Sequence, residues 1–219
     1  MKLLKEARQF LLMIALVLVC RVAVAETYYV PSASMEPTLD IGDHLIANKF
    51  AYGYSRYSNL FGIGPASEKR LFEKMPERGD IVLFRHPVKT GETLVKRVIG
   101  LPGDQIQMRG GRLVINGQVL PLRRDGAGTM ENGDGATMAA ARFIETLPGG
   151  KEHPVYKLTA RGEMNDTKIY EVPAGHLFMM GDDRDNSLDS RVAAADGGVG
   201  PVPMENRRSS CSIPGIFRS

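Results

Sequence analysis

Two serines one residue apart, Ser32 and Ser34, sit in the run Pro31-Ser32-Ala33-Ser34-Met35-Glu36-Pro37-Thr38-Leu39. A serine hydroxyl is a poor nucleophile until a base takes its proton. The chain has four histidines that could be that base, but none has a triad context. His86 precedes a proline, His153 lies in a polar stretch that reads as a loop, and no Gly-x-Ser-x-Gly elbow is present. All four read as ordinary surface or strand residues. A lysine can replace histidine only if its free pKa of ~10.4 falls by several units; burial does this by disfavouring the ammonium form. Lys96 lies in Leu94-Val95-Lys96-Arg97-Val98-Ile99. In a strand Leu94, Lys96 and Val98 share a face, so Lys96 has apolar neighbours on its own side. On this segment alone, a strand-edge lysine whose head reaches water is the better reading. Ser32 and Ser34 alone equally suit a polar turn. A third run, Gly181-Asp182-Asp183-Arg184-Asp185-Asn186-Ser187-Leu188-Asp189-Ser190-Arg191, would alone read as solvated charge. Its near balance of sign suits a salt-bridged loop of fixed shape.

Together, and in this order, the three segments resemble the type I signal peptidases, the bacterial Ser/Lys-dyad peptidases of family S26. The nucleophile motif, Pro-Ser-Gly-Ser-Met with a Pro-Thr-Leu tail, is matched from Pro31 to Leu39. The lysine motif is matched from Lys96 to Asp104, and the late Gly-Asp-x-Arg-Asp-Asn-Ser-x-Asp-Ser-Arg motif from Gly181 to Arg191. Shorter boxes at Gly42-Asp43, Arg78-Gly79-Asp80, Tyr52 to Ser55 and Val172 to His176 also resemble the family, and the likeness runs to Pro203. Agreement by chance over three long motifs in order is negligible.

The resemblance implies a serine endopeptidase that removes signal peptides from exported preproteins after small-x-small sites. It implies Ser34 as nucleophile and neutral Lys96 as general base. The Ser34 N–H and the Ser32 hydroxyl would form the oxyanion hole, and Ser187 would hydrogen-bond and orient Lys96. Arg97 with Asp182, and Arg191 with Asp189, would be structural ion pairs. Val30, Met35, Leu39, Leu94 and Val95 would line the apolar pocket for the small residue before the cut. The family fold is mostly β, an antiparallel β catalytic core with a smaller inserted β extension, here 117–170, preceded by one N-terminal transmembrane helix. Three departures stand out. Ala33 replaces a glycine, Asp183 replaces an asparagine, and Arg207-Arg208-Ser209-Ser210-Cys211 stands where the family closes on an apolar segment.

The elements that must position these residues read as follows. Phe10 to Cys20 is an unbroken apolar run behind Lys2, Lys5 and Arg8, with Arg21 interrupting before Val22 to Ala25. A basic flank before an apolar run predicts entry into a membrane with the N-terminus in the cytoplasm. A span needs ~20 residues, so this one is short. Ala23-Val24-Ala25 also fits a cleavage site, making a removable leader the rival to a retained anchor. The retained anchor, residues 1–27, is the expected form, with residues 28–219 as the peptidase domain outside the bacterial inner membrane, on its periplasmic side. Ser34 follows Ala25 by nine residues, which keeps it within ~30 Å of the bilayer surface.

Short apolar stretches recur between turn signals at Asp43–Phe50, Asp80–His86, Thr93–Ile99, Gln105–Met108, Arg112–Leu120, Lys168–Val172 and His176–Met180. This spacing predicts antiparallel β, with Asn116-Gly117 as a type I′ hairpin turn. The Gly/Ala/Met-rich stretch 125–141 reads as a flexible loop, and Tyr52–Lys69 as irregular. Net charge is only +3 with no basic stripe, so nucleic-acid binding has no electrostatic footprint. The two cysteines, Cys20 and Cys211, are not expected to pair, since Cys20 lies in the apolar run. No metal cluster or phosphate loop is visible, so no cofactor is expected. The expected partners are preproteins and the lipid bilayer. Two other classes fit parts of the pattern. A self-cleaving repressor-like Ser/Lys peptidase would carry a DNA-binding helix-turn-helix where this chain has its apolar run. A non-catalytic membrane-anchored β-domain would keep the dyad without activity.

Overall fold

The computed structural model describes residues 5–14, 25–48, 75–131, 136–158 and 162–217. Its architecture is mostly β. The principal sheet has seven strands in the order β1-β2-β14-β3-β4-β12-β13. These are β1 (Ala25–Tyr29), β2 (His44–Asn48), β3 (Ile81–Arg85), β4 (Thr93–Gly100), β12 (His176–Met180), β13 (Val202–Pro203) and β14 (Arg207–Phe217). Strand β3 explains why the sheet is buried on two sides. Successive side chains alternate in direction. Ile81 and Leu83 enter one cluster with Val30, Met35, Leu39 and Leu45, while Val82 and Phe84 enter another with Val98, Leu177 and Met179.

A four-stranded sheet of β11 (Tyr170–Glu171), β5 (Gln105–Arg109), β6 (Arg112–Ile115) and β7 (Gln118–Val119) covers the third cluster. Ile106, Met108, Leu113 and Ile115 pack there against Ile99, Phe178 and Met180 at the ends of β4 and β12. Asn116 and Gly117 have φ values of 51° and 79° between β6 and β7, the two left-handed positions of a type I′ turn.

The third sheet corrects one expectation. Residues 125–131 and 137–141 are strand rather than loop: β8 (Leu122–Glu131) and β9 (Thr137–Thr146) pair antiparallel, with β10 (Glu152–Lys157) as the third strand. The small residues that suggested a loop pair across the strands, Ala127 with Ala141 and Gly128 with Ala140. Their cover comes from elsewhere in the chain, because the Tyr156 ring packs over Gly128 and joins Met130 and Ala140 in a small core. Strand propensity is read from side-chain fit, which a distant aromatic can supply. This hairpin sheet lies within the 117–170 expected for the insertion.

The third departure from the resembling pattern, the polar run from Arg207, forms strand β14. Lacking the family's apolar closing segment, the polar run from Arg207 nevertheless enters the middle of the principal sheet, with Ser210 opposite both Asn48 and Val82. The pairing uses main-chain groups, which every residue but proline supplies in full. Pro214 falls where the pairing with β2 shifts register.

Residues 5–14 are helical, and Phe10, Leu11, Leu12 and Met13 on that helix are exposed. Among the described residues, no helix is long and apolar enough to cross a membrane. Residues 15–24, which hold Cys20, Arg21 and most of the expected span, lie outside the described residues, as does Tyr52–Lys69.

Candidate active site

After β1 the chain is tied to the turn before β2 by Val30 N–H to the Asp43 carbonyl and Gly42 N–H to the Val30 carbonyl, both 3.0 Å. Ser32 is then extended, at φ −144° and ψ 151°, and Ala33–Met35 form one 3-10 turn. Ala33 and Met35 are buried in that turn, which leaves Ser34 between them facing the cleft, half-buried. Glu36 N–H donates to the Ala33 carbonyl at 2.8 Å. The amides before that first bond, Ser34's included, have no partner within the turn. Ala33 has no positive φ, so the turn does not require glycine there.

Lys96 reaches the site from the middle of β4, directly opposite Val82 on β3. Its flanking residues Leu94 and Val98 pack into the Val82/Phe84 cluster, and Lys96 itself is 4% exposed. The Lys96 Nζ stands 2.5 Å from Ser34 Oγ, and Ser32 Oγ stands 3.2 Å from the same oxygen. No carboxylate forms an ion pair with Lys96 among the described residues. Burial therefore dominates its protonation and lowers its pKa to about 8, against the partial pull of Asp189 and Asp182.

Those two carboxylates are occupied elsewhere. Arg97, the next residue on β4, grips Asp182 through Nε at 2.7 Å and Nη2 at 2.5 Å, and donates to the Gly79 carbonyl at 2.8 Å. Thr38, from the nucleophile segment, also donates to Asp182. Arg191 grips Asp189 at 2.9 and 2.8 Å, and Asp189 in turn accepts from Gly181 N–H at 3.1 Å. Burial alone would raise both carboxyls, but the paired guanidiniums outweigh it and hold both below the usual range. Each fork fixes a planar geometry. The loop after β12 is thereby held against the Ser34 turn, and Asp183 N–H donates to the Ser34 carbonyl at 3.2 Å.

A cleft of about 610 Å³ opens on the dyad, lined by Ser32, Ser34, Lys96, Leu158, Met164 and Leu188 among others. Ser187 lines it too, but its hydroxyl is buried without a hydrogen-bond partner, so the expected bond to Lys96 is not made. Its oxygen instead occupies the space a side chain at Gly181 would need. A smaller hollow of about 60 Å³ adjoins the dyad between Tyr28, Tyr29, Leu45, Leu83, Leu94 and Val95. Of the five residues expected to line the apolar pocket, Leu94 and Val95 do so. Val30, Met35 and Leu39 are at most 1% exposed and form the packed layer behind it. Met35 is turned inward by the 3-10 turn, and Val30 and Leu39 on either side of it join the same core cluster. Tyr28, Leu45 and Leu83 take their place, and only strand pairing brings them there.

His153 is another correction. It lies on β10, 4% exposed, and its Nε2 sits 3.5 Å from Glu145 and 3.9 Å from Asp182. Burial lowers its pKa to about 4, so it is neutral at physiological pH. Glu145 on β9 forms a two-pronged pair with the fully buried Arg184, at 2.7 and 2.5 Å. Sequence reasoning missed this network, which links the hairpin sheet to the late motif. The available signal was an acidic residue and a histidine bracketing a turn, which carries little weight alone. No cluster of histidine, cysteine or carboxylates suited to a metal occurs among the described residues.

A family model described as signal peptidase, peptidase S26, matches residues 3–214. The signal peptidase I of Rickettsia typhi (strain ATCC VR-144 / Wilmington) is 37% identical over 209 residues, covering 92% of this chain and 76% of its own. That of Rickettsia akari (strain Hartford) is 37% identical over 200 residues, covering 88% and 72%. Among solved structures, a signal peptidase I from Enterococcus faecalis V583 aligns at 25% identity over 64% of this chain and 98% of its own, with a TM-score of 0.36. The superposition with that structure is loose and adds nothing to the argument. The sequence matches alone suffice: the chain belongs to the signal peptidase family, peptidase S26.

Proposed function

We propose that this serine endopeptidase removes N-terminal signal peptides from exported preproteins, with Ser34 as nucleophile and neutral Lys96 as general base. One observation carries the reading: a buried amine without an ion-pair partner lies 2.5 Å from a half-buried serine hydroxyl. Lys96 takes the Ser34 proton as Oγ attacks the scissile carbonyl. The oxyanion that develops is met by the Ser34 amide and the Ser32 hydroxyl, donors fixed before the reaction begins. The Lys96 ammonium then gives its proton to the leaving amine, and the acyl-enzyme forms. Lys96, neutral again, activates water to release the signal peptide.

Substrate would enter the cleft as an extended strand whose side chains alternate in direction. The small hollow of about 60 Å³ beside the dyad is in keeping with a small side chain before the cut. Residues 1–27 would anchor the enzyme in the inner membrane as a single pass, N-terminus cytoplasmic, with the catalytic domain on the periplasmic side. The test is cleavage of a signal-peptide-bearing preprotein by purified, detergent-solubilised protein. Wild type should cut at the small-x-small site, and a folded Ser34→Ala variant should not. Undiminished cutting by Ser34→Ala would sink the reading.

A further inference from the structure

Asp183, which replaces an asparagine of the resembling motif, lies with 0% exposure directly behind the nucleophile. Its N–H donates to the Ser34 carbonyl at 3.2 Å. On its other side the main chain is locked to β10, where Tyr156 N–H donates to the Asp182 carbonyl and Arg184 N–H to the Tyr156 carbonyl, both 3.0 Å. Its side chain turns back on its own loop, Oδ1 accepting from Asn186 N–H at 3.2 Å. That bond shapes the turn that delivers Ser187 to the cleft.

The second oxygen is the anomaly. Asp183 Oδ2 is buried and has no hydrogen-bond partner, and no cation forms an ion pair with this carboxyl among the described residues. The groups that face it have the wrong sign or are neutral. The Glu36 carboxylate from the Ser34 turn and the Asp185 carboxylate from its own loop disfavour a negative charge here, while the Asn186 and Asp185 backbone amides favour it and are outweighed by burial. Tyr156 approaches from β10 as a neutral phenol, with Arg142 of β9 beyond it. Lys96 of β4 feels the Asp183 charge across the site, but its Nζ is engaged by Ser34. A buried, unpaired carboxylate is costly, and a protein avoids that cost by keeping the acid protonated.

We propose that Asp183 is a positioning residue for the Ser34–Lys96 pair: as a neutral acid it holds the Ser34 backbone and the Ser187 turn, and its ionisation keeps the proton on Lys96. Burial pushes the carboxyl up to about 7 against the Asn186 and Asp185 amides, with the Glu36 and Asp185 carboxylates adding to the rise. The negative charge then stabilises the ammonium form of Lys96, the form that cannot act as base. An asparagine here would keep the same acceptor for Asn186 and remain neutral at every pH. The proposal rests on the dyad reading for its kinetic half and on the fold alone for its protonation half.

The experiment compares wild type, Asp183→Asn and Asp183→Ala by kcat/KM against pH and by Tm against pH. The sign follows from linkage. The folded pKa is raised, so Asp183 contributes stability in full below the unfolded value near ~4, and that contribution is gone above about 7. The Tm of Asp183→Asn minus that of wild type should therefore grow between those limits and level off above. Its acid limb should move to lower pH by roughly a few tenths of a unit, the size expected of one charge acting across the site. Asp183→Ala should show the same limb but a lower kcat, having lost the bond to Asn186. Parallel Tm curves for wild type and Asp183→Asn would overturn the protonation claim, and coincident acid limbs would overturn the coupling to Lys96. If neither protein cleaved preprotein, the dyad reading would fail, and the Tm curves alone would still decide whether Asp183 is neutral.

Discussion

Gly181, the first residue of the late motif, packs between the Ser34 carbonyl and Ser187, and replacing it with alanine tests whether the geometry of the proposed dyad limits the rate. A Cβ built on Gly181 would lie 2.3 Å from the Ser34 carbonyl oxygen, 2.3 Å from Ser187 Oγ and 2.6 Å from Ser187 Cβ. A carbon–oxygen contact settles at ~3.3 Å or more, so the overlap with each oxygen is about 1 Å. The serine side chain can rotate away, but the Ser34 carbonyl belongs to a backbone held by its turn and by Asp183 N–H. Ser34, the proposed nucleophile, must therefore retreat by about 1 Å, a displacement that costs on the order of 100-fold in rate where proximity supplies the catalysis. Overpacking should also lower stability by ~1–3 kcal/mol. The assay is kcat/KM on a preprotein, with Tm recorded for the same samples. The double variant Gly181→Ala/Ser187→Gly relieves only the side-chain contacts and should stay impaired. A Gly181→Ala enzyme with kcat/KM within about threefold of wild type and an unchanged Tm would refute the reasoning.

Three further outcomes are expected. As pH falls below the Lys96 value of about 8, kcat/KM should drop about tenfold per unit with no separate limb near ~6.5, because the buried His153 titrates at about 4. A limb near ~6.5 that vanishes when the histidines are replaced would contradict the lysine base. Arg97→Met should lower stability to denaturant by ~3–5 kcal/mol by leaving Asp182 charged and buried, and adding Asp182→Leu should recover much of it. Gly128→Ala should distort the hairpin sheet, since its Cβ would lie 2.2 Å from the Tyr156 hydroxyl; urea unfolding should show a loss of ~1–3 kcal/mol while Ser34 and Lys96 remain paired.

The strands were legible where local chemistry decides them. Short apolar stretches bounded by turn signals set β3, β4 and β12 within a residue or two, and Asn116-Gly117 fixed its own turn because few residues tolerate two left-handed positions in succession. The long β8–β9 hairpin was not legible, because its cover is Tyr156, an aromatic from a third strand that no local window contains. The Ser34 and Lys96 segments pointed to chemistry only when read together with the late motif, and their contact is a matter of topology, β4 being paired between β3 and β12. The same holds for the pocket. Val30, Met35 and Leu39 have the right character but the wrong direction, while Tyr28, Leu45 and Leu83 are turned toward the dyad by strand pairing. His153 looked like a loop residue because its neighbours in sequence are polar, while its neighbours in space, Glu145, Asp182 and Arg184, are far apart along the chain.

Strand β14 sits between β2 and β3, so the principal sheet cannot close until nearly the whole chain is available. A polypeptide that emerges N-terminus first would display β2 and β3 with one ladder edge each still open, waiting for residues 207–217. Pairings this distant in sequence form slowly, and open edges invite pairing with other chains in the meantime. The order of assembly thus runs opposite to the order of the catalytic parts. Both Ser34 and Lys96 appear early, but the frame that holds them in register is completed by the last strand described. A ribosome-tethered chain stalled before residue 207 should therefore be protease-sensitive in the principal sheet, with protection gained once β14 is released.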